Sequence, residues 1–293
     1  VTIIAVIGLI LFSSLTLPHF EWSSLQQNAL PNGVSGIFKA LPFAIWFFLA
    51  IEGLANVAEE TKNPQKNIVL GFSRALLTLV ILCIVTYFAS VGVSGWQAVV
   101  FPSGGTEASD APLPLALSKV PGLNPSLIKT VVAIGVFGLV ASFHGIILAA
   151  GRTTFEFGRV GYAPSFLGKI GEKTKTPIYA LIFNMMIGIV SLLTGKTAEI
   201  ITIACFGALT LYVISTVSLF KLRKDFPKME RPFKVMAYPL VPFIAFFLSF
   251  LCLISLAIYN PGLFFIFLLL LFIPFLGFEI FLYRKNKSAL SFS

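Results

Sequence analysis

The sequence predicts an all-α integral membrane protein, and both its composition and its hydropathy pattern support that prediction. Of its 293 residues, 57% are hydrophobic and 11% are charged, and the mean hydropathy is +0.94. A soluble domain contains roughly 45–50% apolar and about 25% charged residues. The apolar residues form long uninterrupted runs, whereas the strands of a membrane barrel alternate over about ten residues. The runs therefore indicate helices.

Eight apolar segments are long enough to cross a bilayer, since a crossing helix takes about 20 residues, with a range of about 17–25. They lie at residues 1–17, 37–58, 70–95, 126–151, 178–194, 198–220, 236–258 and 263–283. The first and the fifth are the shortest. We treat residues 1–293 as a single membrane domain.

The basic residues orient these segments. Most of the 21 Lys and Arg residues follow the second, fourth, sixth and eighth segments, and few lie in the other links. Because short cytoplasmic links are rich in Lys and Arg, we expect the C-terminus in the cytoplasm and the first segment running outward. The net charge of +9 is spread over these links, so we expect a lipid bilayer and not a nucleic acid as the partner.

The longest outer link covers residues 96–125 and has an apolar stretch of its own at residues 113–120. A link of this length is often a functional lid in a compact domain. An ordinary exposed linker is the alternative, and the sequence leaves both open.

The second segment carries a carboxylate inside the membrane, at Glu52. A charge at this depth costs several kcal/mol, so Glu52 should face a cavity or a partner. Gly53 follows it and weakens the helix at the same place. Intramembrane carboxylates are usually functional, and we interpret this segment as the binding and gating element of a small-molecule transporter. The alternative is a Glu52 that is satisfied by a neighbouring helix and has no transport role.

Trp46 and Glu52 would lie about 120° apart around a continuous helix. Both can face one cavity only if the helix is broken between them, as in many secondary transporters. Beyond the break, Glu52, Asn56 and Glu59 follow the spacing of one helix face, which predicts a polar path toward the cytoplasm.

His144 lies in the fourth segment at a depth similar to that of Glu52. We hypothesise that the two belong to one proton-linked network, because an imidazole changes charge near neutral pH and burial makes a carboxyl group hold its proton more tightly. The alternative is a histidine hydrogen-bonded into helix packing. Ser142, Asn184 and Thr210 are interpreted as hydrogen-bonding groups between helices.

Other classes of protein find less support. Cys83, Cys205 and Cys252 lie in apolar runs without metal-ligand spacing, so we expect neither a metal nor a cofactor. A membrane-embedded enzyme needs a nucleophile and base, or clustered metal ligands, at one depth, and the segments offer one Glu and one His. A phosphate-binding loop for an ATP-driven pump is missing from the sequence. A purely structural bundle would leave Glu52 unexplained.

The run FAIWFFLAIEGLANVAEETKNPQKNIVLGF at residues 43–72 resembles the sixth transmembrane helix and following loop of the amino acid–polyamine–organocation superfamily, and within it the ethanolamine permeases. The stretches ASFHGIILAAGRTTFEFGRVGYAP, TPIYALIFNMMIGIVSLLTGK, EIITIACFGALTLYVIS and RPFKVMAYPLVP extend the resemblance over the whole chain. It implies that the segments are helices five to twelve of twelve. Since the chain starts on Val1 inside an apolar run, we expect helices one to four to be missing from its N-terminus.

The resemblance implies a five-plus-five inverted-repeat transporter with two extra helices, working by alternating access in a bacterial inner membrane. Trp46 matches the aromatic residue that closes over the substrate, and Glu52 matches the acidic or polar position that couples gating and protonation. Ala50, Ile51 and Gly53 would be the unwound backbone.

The expected substrate is ethanolamine, with an amino acid as the alternative. An indole face attracts an ammonium group by about 0.5–2 kcal/mol, and an ionised Glu52 adds a charge partner. An amino acid would also satisfy both residues, so they do not separate the two substrates.

Overall fold

The computed structural model describes residues 2–53, 61–102, 105, 107–231, 233–235 and 237–290. These residues form α-helices, short 3-10 turns and connections, without a β-strand among them. The α-helices are α1 (Thr2–Thr16), α2 (Trp22–Gln26), α3 (Gly33–Trp46), α4 (Pro64–Val100), α5 (Pro112–Ser118), α6 (Pro125–Val160), α7 (Ile178–Leu193), α8 (Thr197–Asp225), α9 (Leu240–Tyr259) and α10 (Pro261–Leu290).

The all-α membrane fold class is confirmed. Seven helical segments of the described chain are long and apolar enough to cross a bilayer, and they match seven of the predicted spans. The predicted span at residues 178–194 is the 16-residue helix α7, which is apolar but shorter than the others. The chain is therefore an integral membrane protein.

Two helices are much longer than their predicted spans. α4 has 37 residues against the expected 70–95, and α6 has 36 residues against the expected 126–151. Hydropathy marks only the part of a helix that suits hydrocarbon, whereas backbone hydrogen bonds continue into the polar ends. Pro64 begins α4, in the first turn, where its missing N–H is not needed.

The described chain divides into two compact units, of which the first comprises residues 1–32 and 70–146. Its core contains Phe12 of α1, Ala89 of α4 and Val131 of α6. Ala116 and Leu117 of α5 are buried in the same core. The middle of the link at residues 96–125 is thus a packed helix and not an exposed linker, and its role as a lid stays a prediction.

Two glycines shape α4 within the first unit. Gly95 has a φ of 80° and bends the helix, a conformation that a residue with a Cβ adopts only with strain. Gly92 lies against the ring of Phe20, and its carbonyl accepts the N–H of Glu21 at 2.9 Å. The end of α4 is therefore held against the connection between α1 and α2.

The second unit comprises residues 33–69 and 147–293, and α8 is its central helix. α8 packs against α3, α9 and α10. Phe206 is fully buried, with ring centroids 5.3 Å from Phe264 and 5.5 Å from Phe267. The adjacent Cys205 is also fully buried and donates its S–H to the Pro42 carbonyl of α3 at 3.1 Å. Cys205 is therefore part of the core of this unit.

Close backbone packing fixes the chain after α6, also in the second unit. A Cβ on Gly158 would lie 2.3 Å from the backbone nitrogen of Gly168 and 2.7 Å from the carbonyl carbon of Leu167. Backbone atoms cannot move aside as the end of a flexible side chain can. Position 158 therefore requires glycine.

We predict that Gly158→Ala lowers the thermal stability of the protein by several degrees, because the added methyl group would overlap the backbone of residues 167 and 168. Gly145→Ala on the same helix is the matched control, since no atom lies within 4 Å of its added Cβ. Alanine is favoured over glycine inside a helix by about 1 kcal/mol, so the control should be neutral or stabilising. Thermal unfolding in detergent, followed by size-exclusion chromatography, measures both. Equal melting temperatures for Gly158→Ala and the unsubstituted protein would contradict the packing.

Candidate functional site

An apolar segment of 21 residues, Gly33–Gly53, loses its α-helical backbone before it ends. α3 ends at Trp46, and the Phe48 and Leu49 N–H groups bond to the carbonyls three residues before them, at 2.9 and 3.2 Å. Ala50 has a φ of 65°, and residues 51–53 form a 3-10 turn. A left-handed backbone conformation costs a non-glycine residue about 1–3 kcal/mol, so the surrounding structure must hold Ala50 there.

The interruption does not follow from local helix propensity. Residues 47–52 contain neither glycine nor proline. Tertiary packing instead holds the segment on two sides. Ile45 and Leu49 pack against the core of α8, α9 and α10. On the other side Gly53 lies against α6, where an added Cβ would come 3.2 Å from the Cβ of Ala149.

Tyr212 of α8 connects to the interrupted segment through its hydroxyl group. That hydroxyl lies 3.3 Å from Oε2 of Glu52 and 3.4 Å from the carbonyl oxygen of Phe48, and it can donate to either oxygen. A carbonyl freed from a helix inside a bilayer needs such a donor, because no water is available there. The single O–H group of Tyr212 thus lies within reach of both the freed backbone and the membrane carboxylate.

Glu52 is half-buried, and within the described part of the chain it forms no ion pair. Its hydrogen-bond partner, Tyr212, is a neutral donor. Such a contact is weaker than an ion pair, so a cationic ligand can compete for the carboxylate. A Glu52 that serves only helix packing would make the same contact.

Trp46 is the last residue of α3, and its side chain is 43% exposed. Ala50 is exposed, whereas Ile51 and Gly53 are half-buried in the non-helical segment. The structure thus brings these predicted residues together with Glu52 on one short segment. Their roles in substrate binding and gating stay predictions.

The other predicted site residues are placed differently. Asn56 and Glu59 of the expected cytoplasmic path lie outside the described residues. His144 is exposed on α6 and belongs to the first unit, whereas Glu52 belongs to the second. The proton-linked network between them stays a prediction.

Sequence reasoning missed Tyr212. The signal that could have found it is a phenolic hydroxyl in the middle of an apolar run, since a buried tyrosine normally donates to an acceptor. Glu52 is an acceptor in need of such a donor. Their pairing depends on which helices are neighbours, and the sequence of one segment does not contain that information.

Asn184 of α7 is confirmed as a hydrogen-bonding group between helices. Its amide nitrogen donates to Oγ1 of Thr154 at 2.9 Å and lies 3.2 Å from the carbonyl oxygen of Ala150, both on α6. The two helices therefore stay in register at this point. Among the described residues no three His, Cys, Asp or Glu side chains lie close enough together to hold a metal ion.

An interrupted membrane helix that carries a carboxylate at the break is typical of secondary transporters. Comparison with known proteins identifies the family to which the chain belongs. Residues 1–279 match the model of the family described as amino acid permease. The chain therefore belongs to the amino acid permease family, within the amino acid–polyamine–organocation superfamily.

The relatives that it matches are transporters by name. The chain is 26% identical to an uncharacterised transporter of Rhizobium meliloti, over 85% of the chain and 51% of that protein. It is 28% identical to the branched-chain amino acid permease BcaP of Bacillus subtilis, over 94% of the chain and 55% of that protein. It is 26% identical to the methylthioribose transporter of Bacillus subtilis, over 73% of the chain and 44% of that protein. The chain spans about half the length of these relatives.

Proposed function

We propose that the protein imports a small solute with an ammonium group across a membrane by alternating access. The observation that carries the proposal is the membrane helix that stops at Trp46, six residues before a carboxylate that, within the described part of the chain, is hydrogen-bonded by the uncharged Tyr212 hydroxyl. Ethanolamine is the leading substrate, because the residues through Trp46 and Glu52 resemble the ethanolamine permeases. An amino acid is the second candidate, because the relatives include branched-chain amino acid permeases.

The chemistry of the segment suits an ammonium group. The exposed Trp46 offers an aromatic face, on which a cation gains about 0.5–2 kcal/mol. Glu52 offers a carboxylate that no cation occupies within the described part of the chain. An ammonium group forms an ion pair with the carboxylate as well as a hydrogen bond, whereas the Tyr212 hydroxyl is uncharged, so the ammonium group is the stronger partner.

Gating follows from the competition between the Tyr212 hydroxyl and the substrate ammonium group for the Glu52 carboxylate. While Tyr212 donates to Glu52 and approaches the Phe48 carbonyl, the interrupted segment is tied to α8. An ammonium group that takes over the Glu52 carboxylate weakens this tie. The segment with Ala50, Ile51 and Gly53 is then free to change conformation. A ligand shifts an equilibrium only through a difference in its affinity for the two states, and Glu52 supplies that difference.

We place the protein in a bacterial inner membrane, with the C-terminus in the cytoplasm. The bacterial relatives and the concentration of Lys and Arg in alternate links support this placement. Proton coupling through Glu52 and His144 is part of the proposal.

Uptake of labelled ethanolamine by cells that express the complete coding sequence tests the substrate. We expect unlabelled ethanolamine to block uptake and excess valine, leucine and isoleucine to leave it unchanged. Suppression by these amino acids would assign the protein to amino acid transport. Failure to accumulate either kind of substrate would contradict the proposed function.

Substitutions test the site in the same assay. Glu52→Gln should reduce uptake at least about tenfold, because it removes the charge that attracts the substrate. Trp46→Ala should raise KM by about 2- to 30-fold, the range that corresponds to the loss of one cation–π contact. Phe47→Ala is the matched control, since Phe47 is a neighbouring aromatic side chain that is 58% exposed. Unchanged uptake in Glu52→Gln would remove Glu52 from the site while leaving the family assignment intact.

The pH dependence of uptake tests the role of His144. If His144 takes part in proton coupling, import should rise as the external solution is made more acidic. We expect His144→Gln to flatten this profile. His19→Gln is the matched control, because His19 is the other histidine of the sequence and lies in the short 3-10 turn Leu17–His19 after α1. An unchanged profile in His144→Gln would exclude His144 from proton coupling.

A further inference from the structure

A cavity of about 470 Å³ lies in the second unit, at the end of α8 that carries its basic residues. The first turns of α4 form one wall through Ile68 and Val69, and the last turns of α8 form the other through Leu219 and Leu222. The segment after α8 closes one end through Phe233. The walls are mainly apolar, and the volume lies in the range of about 300–1,000 Å³ that is usual for small-molecule sites.

Arg223 introduces a positive charge into this apolar cavity. Its guanidinium carbon lies 3.9 Å from the ring centroid of Tyr238. Its Nε atom is buried and has no hydrogen-bond partner. Within the described part of the chain it forms no ion pair, although Asp225 and Glu230 are close in sequence. Arg223 lines the cavity, so an anion bound there would offset its positive charge.

The other charged residues of the lining do not neutralise the positive charge of Arg223. Arg231 donates to the carbonyl oxygens of Phe226 at 2.7 Å, Met229 at 2.9 Å and Pro227 at 3.2 Å, so it holds the turn after α8. Glu230 is exposed and is the acidic member of the described lining. Two arginines against one glutamate leave the cavity with a net positive charge.

The position of the cavity indicates the source of an anionic ligand that also has an apolar part. Lys66 lies in the first turn of α4, and Lys221 and Lys224 lie in the last turns of α8, which are the helix ends that form the two walls. Basic residues at the ends of membrane-spanning helices lie at the level of lipid headgroups and attract anionic lipids. A free phosphate would satisfy Arg223 but would gain nothing from the apolar walls.

We propose that this cavity binds one anionic phospholipid, with its phosphate on Arg223 and an acyl chain along Ile68, Val69, Leu219 and Leu222. The bound lipid joins the start of α4 to the end of α8. It therefore stabilises one end of the unit to which the interrupted segment also belongs. The proposal depends on the protein being an integral membrane protein, and it does not depend on which substrate the protein transports.

Native mass spectrometry of the complete purified protein tests the proposal, with phosphatidylglycerol and phosphatidylcholine as probes. We expect the unsubstituted protein to retain one phosphatidylglycerol in preference to phosphatidylcholine. Arg223→Gln should weaken phosphatidylglycerol binding at least about fivefold, since one basic side chain contributes that much near an anionic membrane surface. Lys169→Gln is the matched control, because it removes the same charge from an exposed position outside the cavity.

Two further variants, Arg223→Lys and Ile68→Trp, are measured in the same experiment. Arg223→Lys keeps the charge and should retain most of the binding, and Ile68→Trp should abolish it by filling the cavity while Arg223 stays in place. Either variant serves if Arg223→Gln does not fold. Equal retention of both lipids, or unchanged phosphatidylglycerol binding in Arg223→Gln or Ile68→Trp, would overturn the proposal. Displacement of phosphatidylglycerol by millimolar inorganic phosphate would also overturn it, in favour of a soluble anion.

Discussion

The structure of the second unit depends on one constraint, that a helix cannot stop inside a bilayer unless its freed backbone groups find partners. α3 stops at Trp46 while the apolar segment continues to Gly53. Lipid offers no donor for the freed carbonyls, so the protein has to supply donors. α8 does so with the Tyr212 hydroxyl, and it reaches that position because Cys205 and Phe206 are packed without free space against α3 and α10. The central position of α8 therefore supplies the donor that the interruption of α3 requires.

The same constraint gives the site its chemistry. A carboxylate next to unwound backbone needs stabilisation, and Tyr212 provides it without neutralising the charge. The carboxylate thus remains available to a cation, in a segment whose backbone at Ala50 is already strained. Strained conformations persist where packing over-determines them, and they are common at switch regions. Binding and movement are therefore linked at Glu52, since whatever replaces Tyr212 as its partner also loosens the segment.

The sequence predicted the parts of this structure that local patterns determine. Hydropathy located the spans, because the bilayer imposes a length and a composition on each crossing helix. The angular separation of Trp46 and Glu52 led to the expectation of a break, and α3 ends at Trp46. Contacts between distant segments were not accessible in this way. Tyr212 with Glu52, α5 buried on α1, and Gly158 against Gly168 each depend on which elements become neighbours, and hydropathy does not encode that. The lengths of α4 and α6 were underestimated because their polar ends carry no hydropathy signal.

A double-mutant cycle between Glu52 and Tyr212 tests the central claim most directly. The apparent affinity for substrate would be measured in the complete protein, in Glu52→Ala, in Tyr212→Phe and in the double variant. If the hydroxyl and the substrate compete for one carboxylate, the two substitutions should be coupled by about 0.5–3 kcal/mol, the range for residues in contact. Tyr212→Phe alone should then tighten substrate binding and slow the return of the empty transporter. Effects that add within about 0.3–0.5 kcal/mol would mean that the two residues act independently, and they would contradict the gate.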